Sequence, residues 1–196
     1  MSAVVAPRLP AREESRRTSF VGMIMALASW TMLFGSLFFA YAILRLKAGT
    51  WPPDGVEPLP RLLPLVNTLV LLLSSTVLHG GVRAAAETRI GALRAALKGT
   101  IALGSLFLVL QFAVWVPLWR SGFRIDSGVY GSIFYGLTVF HALHVLAGLV
   151  VLLVLVPGAR TGRYRSGRQS AVRLSAMFWH FVDAVWVVMF VAVYLL

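Results

Sequence analysis

Two pairs of ionisable residues stand where a chain this apolar should have none. His180 and Asp183 interrupt the run FWHFVDAVWVVMFVAVYLL (Phe178 to Leu196), and His141 and His144 interrupt FYGLTVFHALHVLAG. In each pair the spacing is i and i+3, which puts both side chains on one face of a helix. A charged group near the centre of a bilayer costs at least ~2.5 kcal/mol on insertion scales, so it calls for a partner or a function. Three chemistries fit these residue types. Two histidines on different helices, drawn from His141, His144, His180 and the fourth histidine, His79, could serve as axial ligands of a haem. Buried His and Asp could instead form a transport site or a proton relay. Thirdly, His141, His144, His180 and Asp183 could hydrogen-bond one another and set helix register, each polar bond contributing about 0.6 to 2 kcal/mol in the membrane. The structural reading is the one the residues favour.

The elements that carry these side chains follow from composition. With 59% hydrophobic and 13% charged residues and a mean hydropathy of +0.83, the chain lies far from the soluble globular range and reads as an integral membrane protein. Five uncharged runs are each long enough to cross a bilayer as a helix: Phe20 to Leu44, Leu62 to Val82, Thr100 to Trp119, Gly128 to Val156 and Leu174 to Leu196. Unbroken runs without alternating polarity predict helices rather than barrel strands. The expected fold is therefore all-α, a five-transmembrane-helix bundle over 20–196 preceded by a flexible cytoplasmic tail, 1–19. The first run is too long for the apolar core of a cleaved signal and reads as a retained helix. Counting 1.5 Å per residue, His144 lies roughly 18 Å and Asp183 roughly 14 Å from the inner ends of their spans, depths that permit contact.

Orientation follows from the placement of Lys and Arg. Arg8, Arg12, Arg16 and Arg17 precede the first span, Arg83, Arg89, Arg94 and Lys98 join the second to the third, and Arg160, Arg163, Arg165, Arg168 and Arg173 join the fourth to the fifth. The opposite side holds only Arg45, Lys47, Arg61, Arg120 and Arg124. The N-terminus is thus expected inside and the C-terminus outside. The formal net charge of +11 is distributed between apolar runs, so it reads as topology and not as a nucleic-acid surface. Absence of cysteine excludes disulfides, thiolate catalysis and Cys-ligated metal centres.

Among other intramembrane polar residues, Asn67, Thr68, Ser74, Ser75, Gln111 and Thr138 are expected to bond between helices. No Glu or Lys falls within a span, which argues against an ion-coupled transporter. The outer loop LKAGTWPPDGVEPLPR is proline-rich and predicts an ordered extended or turning segment, with Trp51 and Trp119 as interfacial anchors. Arg163, Arg165 and Arg168 in the inner loop suit anionic lipid head groups, at about 1 kcal/mol per basic residue.

FWHFVDAVWVVMFVAVYLL, FYGLTVFHALHVLAG, DSGVYGS, LVNTLVLLLSS and TWPP, in this order from the C-terminus back, together resemble subunit III of the haem–copper respiratory oxidases, most closely cytochrome c oxidase. The similarity runs from about Phe20 to Leu196 and matches the shorter, five-helix form. It implies a subunit of a bacterial inner-membrane complex that reduces oxygen to water and translocates protons. Haem and copper would reside in partner subunits, with no cofactor, metal or catalytic residue in this chain. Subunits I and II would be its partners. Phospholipids would be held in a cleft of the bundle, and the chain would support proton uptake into subunit I and the durability of the complex. Carried over by position, His141, His144, His180 and Asp183 would form the polar core, Asn67 and Thr68 the polar pair of the second helix, and Trp51, Pro52 and Pro53 the outer loop. Two carboxylates found in many members are missing, at Ser29-Trp30 and in Leu110-Gln111-Phe112-Ala113-Val114, which shifts weight from proton relay to structure and lipid binding. An accessory subunit of a nitric oxide reductase and a haem b membrane anchor are the alternatives.

Overall fold

A computed structural model describes residues 11–50, 59, 61–162, 164 and 169–195. These form α1 (Ala11–Lys47), α2 (Leu62–Ala86), α3 (Ile90–Arg120), α4 (Gly128–Arg160) and α5 (Ser170–Met189), the last passing into a π-helical turn, Phe190–Leu195. All five helices are long and apolar enough to cross a membrane, and no strand occurs among the described residues. Residues 11–19 of the expected tail belong to α1. Likewise α3 begins ten residues before the uncharged run. Ala, Leu, Arg and Lys are strong helix formers, so the helix continues through Arg94 and Lys98, where hydrophobicity stops.

Helices α2 and α3 form a tight antiparallel hairpin. At its turn the Arg89 N–H donates to the Ala84 carbonyl at 2.8 Å and the Thr88 N–H to Ala85 at 3.2 Å, the paired bonds of a Schellman motif. The residue that must turn left-handed is Thr88, at φ +57°, although a β-branched side chain is disfavoured there. Gly122, at φ +86°, takes the same position after α3, where Phe123 bonds back to Leu118 and Gly122 to Trp119. The α3–α4 connection is closed further by Ser127, whose hydroxyl accepts the Arg124 N–H at 2.8 Å and donates to the Gly122 carbonyl at 3.0 Å. A methyl group on Gly131 would stand 2.3 Å from the Arg124 carbonyl oxygen, so only glycine lets α4 start this close to the turn.

Packing joins α2 to α3, α3 to α4, α4 to α5 and α5 back to α2, closing a four-helix ring. Helix α1 lies outside it, mainly on α4 and α5. At the ring's centre is the Trp179 indole, 1% exposed. It fits a slot between Gly104 of α3 and Gly148 of α4, where a Cβ would come within 2.6 Å and 2.9 Å of the ring. Small residues let helices approach closely in lipid, where packing and not water exclusion drives association.

Candidate functional site

The buried polar side chains concentrate on the α2–α5 seam. Trp186 donates its Nε1–H to Thr68 Oγ1 at 2.9 Å, and Thr68 donates onward to the Pro64 carbonyl at 2.8 Å. Two turns along, Trp179 donates to Ser74 Oγ at 3.0 Å, and Ser74 to the Leu71 carbonyl at 2.7 Å. His180 Nδ1 is bonded to Ser75 Oγ, and just before α5 the Gln169 amide donates to the Ala85 carbonyl at 2.7 Å. From Thr68–Trp186 through Ser74–Trp179 to Ala85–Gln169 the contacts advance along α2 and back along α5, so they fix an antiparallel register. In hydrocarbon a slipped register would strand both indole protons, each needing a partner.

The four residues expected to form one polar core are divided among three environments. Asp183 is 7% exposed. Ser75 lies beside its carboxyl group, while Oδ1 is buried without a partner. Ser75 thus stands next to both Asp183 and His180, whose Nδ1 it bonds. His79 of α2 adjoins this group, its ring centroid 6.2 Å from that of His180, and is exposed. His141 is elsewhere, fully buried between Phe107 at 5.6 Å and Trp186 at 5.1 Å, and neither ring nitrogen has a hydrogen-bond partner. His144, half-buried, turns toward α1. Its ring meets Trp30 at 5.3 Å and Phe34 at 5.1 Å, and its Nδ1–H donates to the Phe140 carbonyl at 2.7 Å. The expectation of mutual bonding is thereby corrected: two ring positions three residues apart diverge by about 60°, given 3.6 residues per turn, enough to send His141 into the ring of helices and His144 to its rim.

Of the remaining polar residues, Asn67 donates to Gln111 Oε1 of α3 at 3.3 Å, joining α2 to α3. Thr138 bonds instead within its own helix, to Phe134 at 2.9 Å. Trp51, Pro52 and Pro53 of the outer loop, and Arg163, Arg165 and Arg168 of the inner one, lie outside the described residues. Trp179 and Trp186 carry the seam, a role not assigned to them from sequence. The signal was available: tryptophan favours the interface, so two in mid-span call for buried acceptors.

Helix α1 leaves a face of α5 uncovered. Phe178 and Phe181 of α5 meet Trp30 of α1, and Trp179 and His180 meet α2. Between these lines Met177, His180, Ala184, Val188 and Val191 run along α5, half-buried or exposed. They form a strip of α5 between its contacts with α1 and with α2. Arg83 and Arg173, both exposed, each lie three residues from the neighbouring ends of α2 and α5.

Fold and site together define a polytopic helical membrane protein whose buried polar groups join helices to one another. Among the described residues no group of three or more His, Asp or Glu is arranged to hold a metal ion. The family described as cytochrome c oxidase subunit III matches residues 14–196, and the chain belongs to it. A protein named cytochrome c oxidase subunit 3 from Thermostichus vulcanus is 34% identical over 177 residues, covering 90% of this chain and 86% of its own length. One of the same name from Synechocystis sp. is 37% identical over 176 residues, covering 89% and 74%. The mouse protein of that name is 34% identical over 179 residues, covering 88% and 67%.

Proposed function

We propose that this chain is the noncatalytic subunit III of a haem–copper terminal oxidase in a bacterial inner membrane, the N-terminus inside and the C-terminus outside. It sits beside subunit I in a complex with subunit II. Electrons pass through haem and copper held by those partners, while this chain carries no redox centre. Its work is to stabilise subunit I, to hold phospholipid and to support proton uptake. The observation that carries this reading is the family match over nearly the whole chain.

The strip of α5 between α1 and α2 supports the lipid part. Its Met177, Ala184, Val188 and Val191, half-buried or exposed, suit acyl chains, and the neighbouring ends of α2 and α5 bear exposed Arg83 and Arg173, with Arg163, Arg165 and Arg168 in the loop before α5. Basic residues at that level attract anionic head groups. The polar seam supports the structural part, since its groups engage one another across α2 and α5. Purification by a tag on this chain tests the reading: copper- and haem-containing oxidase subunits and bound phospholipid are expected in the eluate by mass spectrometry. Copurification with a nitric oxide reductase, or a haem spectrum from the isolated chain, would overturn it.

A further inference from the structure

The histidines and carboxylates within the five apolar runs are His79, His141, His144, His180 and Asp183. The last four are buried or half-buried in the bundle, whereas His79 of α2 is exposed on its outer surface. Its ring adjoins that of His180 at 6.2 Å, and no described residue offers it a hydrogen bond. Ionisable side chains in a membrane ordinarily face the bundle interior or pair with another polar group, because hydrocarbon satisfies neither a donor nor an acceptor. His79 sits in a stripe. The exposed residues Leu65, Leu69, Leu72, Thr76, His79 and Arg83 follow one another along α2 at spacings of three and four, so they share one helix face. That face is apolar in its outer half and polar in its inner one. At 1.5 Å per residue the His79 backbone lies about 6 Å deeper than that of Arg83. The Thr76 hydroxyl is bonded to the Leu73 carbonyl at 2.8 Å, which leaves the imidazole as the group in need of a partner.

A comparable exposed stripe on α4, Val139, Leu143, Val150 and Val154, is apolar and needs nothing but acyl chains. The α2 stripe needs more. A lipid headgroup drawn to Arg83 would meet the polar end alone, while a helix laid along the stripe packs on the three leucines and brings a polar side chain to the depth of His79. Gly80, next to His79, has open space where a Cβ would stand, so another backbone can approach α2 closely at that level. We propose that this stripe is the docking face for a transmembrane helix of a partner subunit that carries a carboxylate or carboxamide oxygen opposite His79. The imidazole donates one N–H to that oxygen, and the positive charge of Arg83, one turn away, complements a carboxylate there. The inference rests on the reading of the chain as one subunit of a membrane complex, and adds to it which face meets the partner and through which side chain.

The test places a photo-crosslinking amino acid at Leu72 or Thr76, which leaves His79 intact, and irradiates the full chain in its native membrane before tag purification. Mass spectrometry is expected to find both positions joined to the same oxidase subunit. Oxidase subunits in the eluate with only lipid, or only the chain's own 163–168 loop, crosslinked would overturn the docking face alone. An eluate without oxidase subunits would overturn the subunit reading beneath it. A second measurement uses His79→Leu, which suits hydrocarbon better than histidine does. If the stripe faced lipid, this variant would keep its partners as well as wild type does, and that result too would overturn the proposal. The docking face predicts about threefold to tenfold less partner retained per chain after a detergent wash, with the amount of chain in the membrane unchanged. His79→Gln, which keeps a donor, is expected to restore much of the retention.

Discussion

Helix α1 and the ring α2–α5 are all apolar enough to cross a membrane but are held differently. The most apolar stretch of α1 is 6% buried, against 56% for α5. Around the ring, indoles, hydroxyls and amides bond from helix to helix. On α1 the hydroxyls of Ser29, Thr31 and Ser36 are bonded to carbonyls of α1 itself, and mid-span attachment is by Trp30 and Phe34 against rings of α4 and α5. The difference teaches that in lipid, hydrophobicity places a helix but does not bind it to its neighbours. Binding comes from shape, as in the Gly104–Gly148 slot, and from polar groups that have no other outlet.

Five substitutions test that contrast. The largest effect is expected from Trp179→Ala, which empties the slot and frees the Ser74 hydroxyl. A loss of about 3–5 kcal/mol is anticipated, seen as failure to recover the assembled complex. Trp30→Ala removes three ring contacts from α1 and should cost about 1–2 kcal/mol. Its signature would be loss of bound phospholipid with the ring of helices still folded, and a loss as large as that of Trp179→Ala would end the contrast. Thr88→Gly relieves a left-handed threonine at the α2–α3 turn and should stabilise by about 1 kcal/mol, measured as a higher melting temperature of the purified complex. Finally, Ser75→Ala removes the hydroxyl bonded to His180 for roughly 0.6 kcal/mol, whereas His180→Ala also empties part of the α5 strip between α1 and α2 and should lower both durability and lipid content. If either change abolished electron transfer in a fully assembled enzyme, the noncatalytic reading would fail.

The five spans were legible because an uncharged run of twenty or more residues has few other uses. Their ends were not. Arg94 and Lys98 mark where the bilayer stops being apolar, and the α3 backbone continues through them because its hydrogen bonds are indifferent to which solvent surrounds it. For the site, residue types were informative and partners were not. A polar side chain in mid-span announces that it needs a bond, and Asn67, Thr68, Ser74 and Ser75 all supply or find one. Which helix answers depends on rotation about the axis, and the 60° between His141 and His144 separates a fully enclosed ring from one at the rim. Trp179 and Trp186 passed as hydrophobic bulk because the indole N–H is a small part of a large side chain, yet in hydrocarbon that proton decides the register.

The slot that receives Trp179 also imposes an order on assembly. Gly104 and Gly148 are spaced to enclose a ring that belongs to α5, a segment synthesised after both of their helices. In a chain that stops before residue 170 neither glycine has that ring to close on, and α3 and α4 are expected to pack less tightly there.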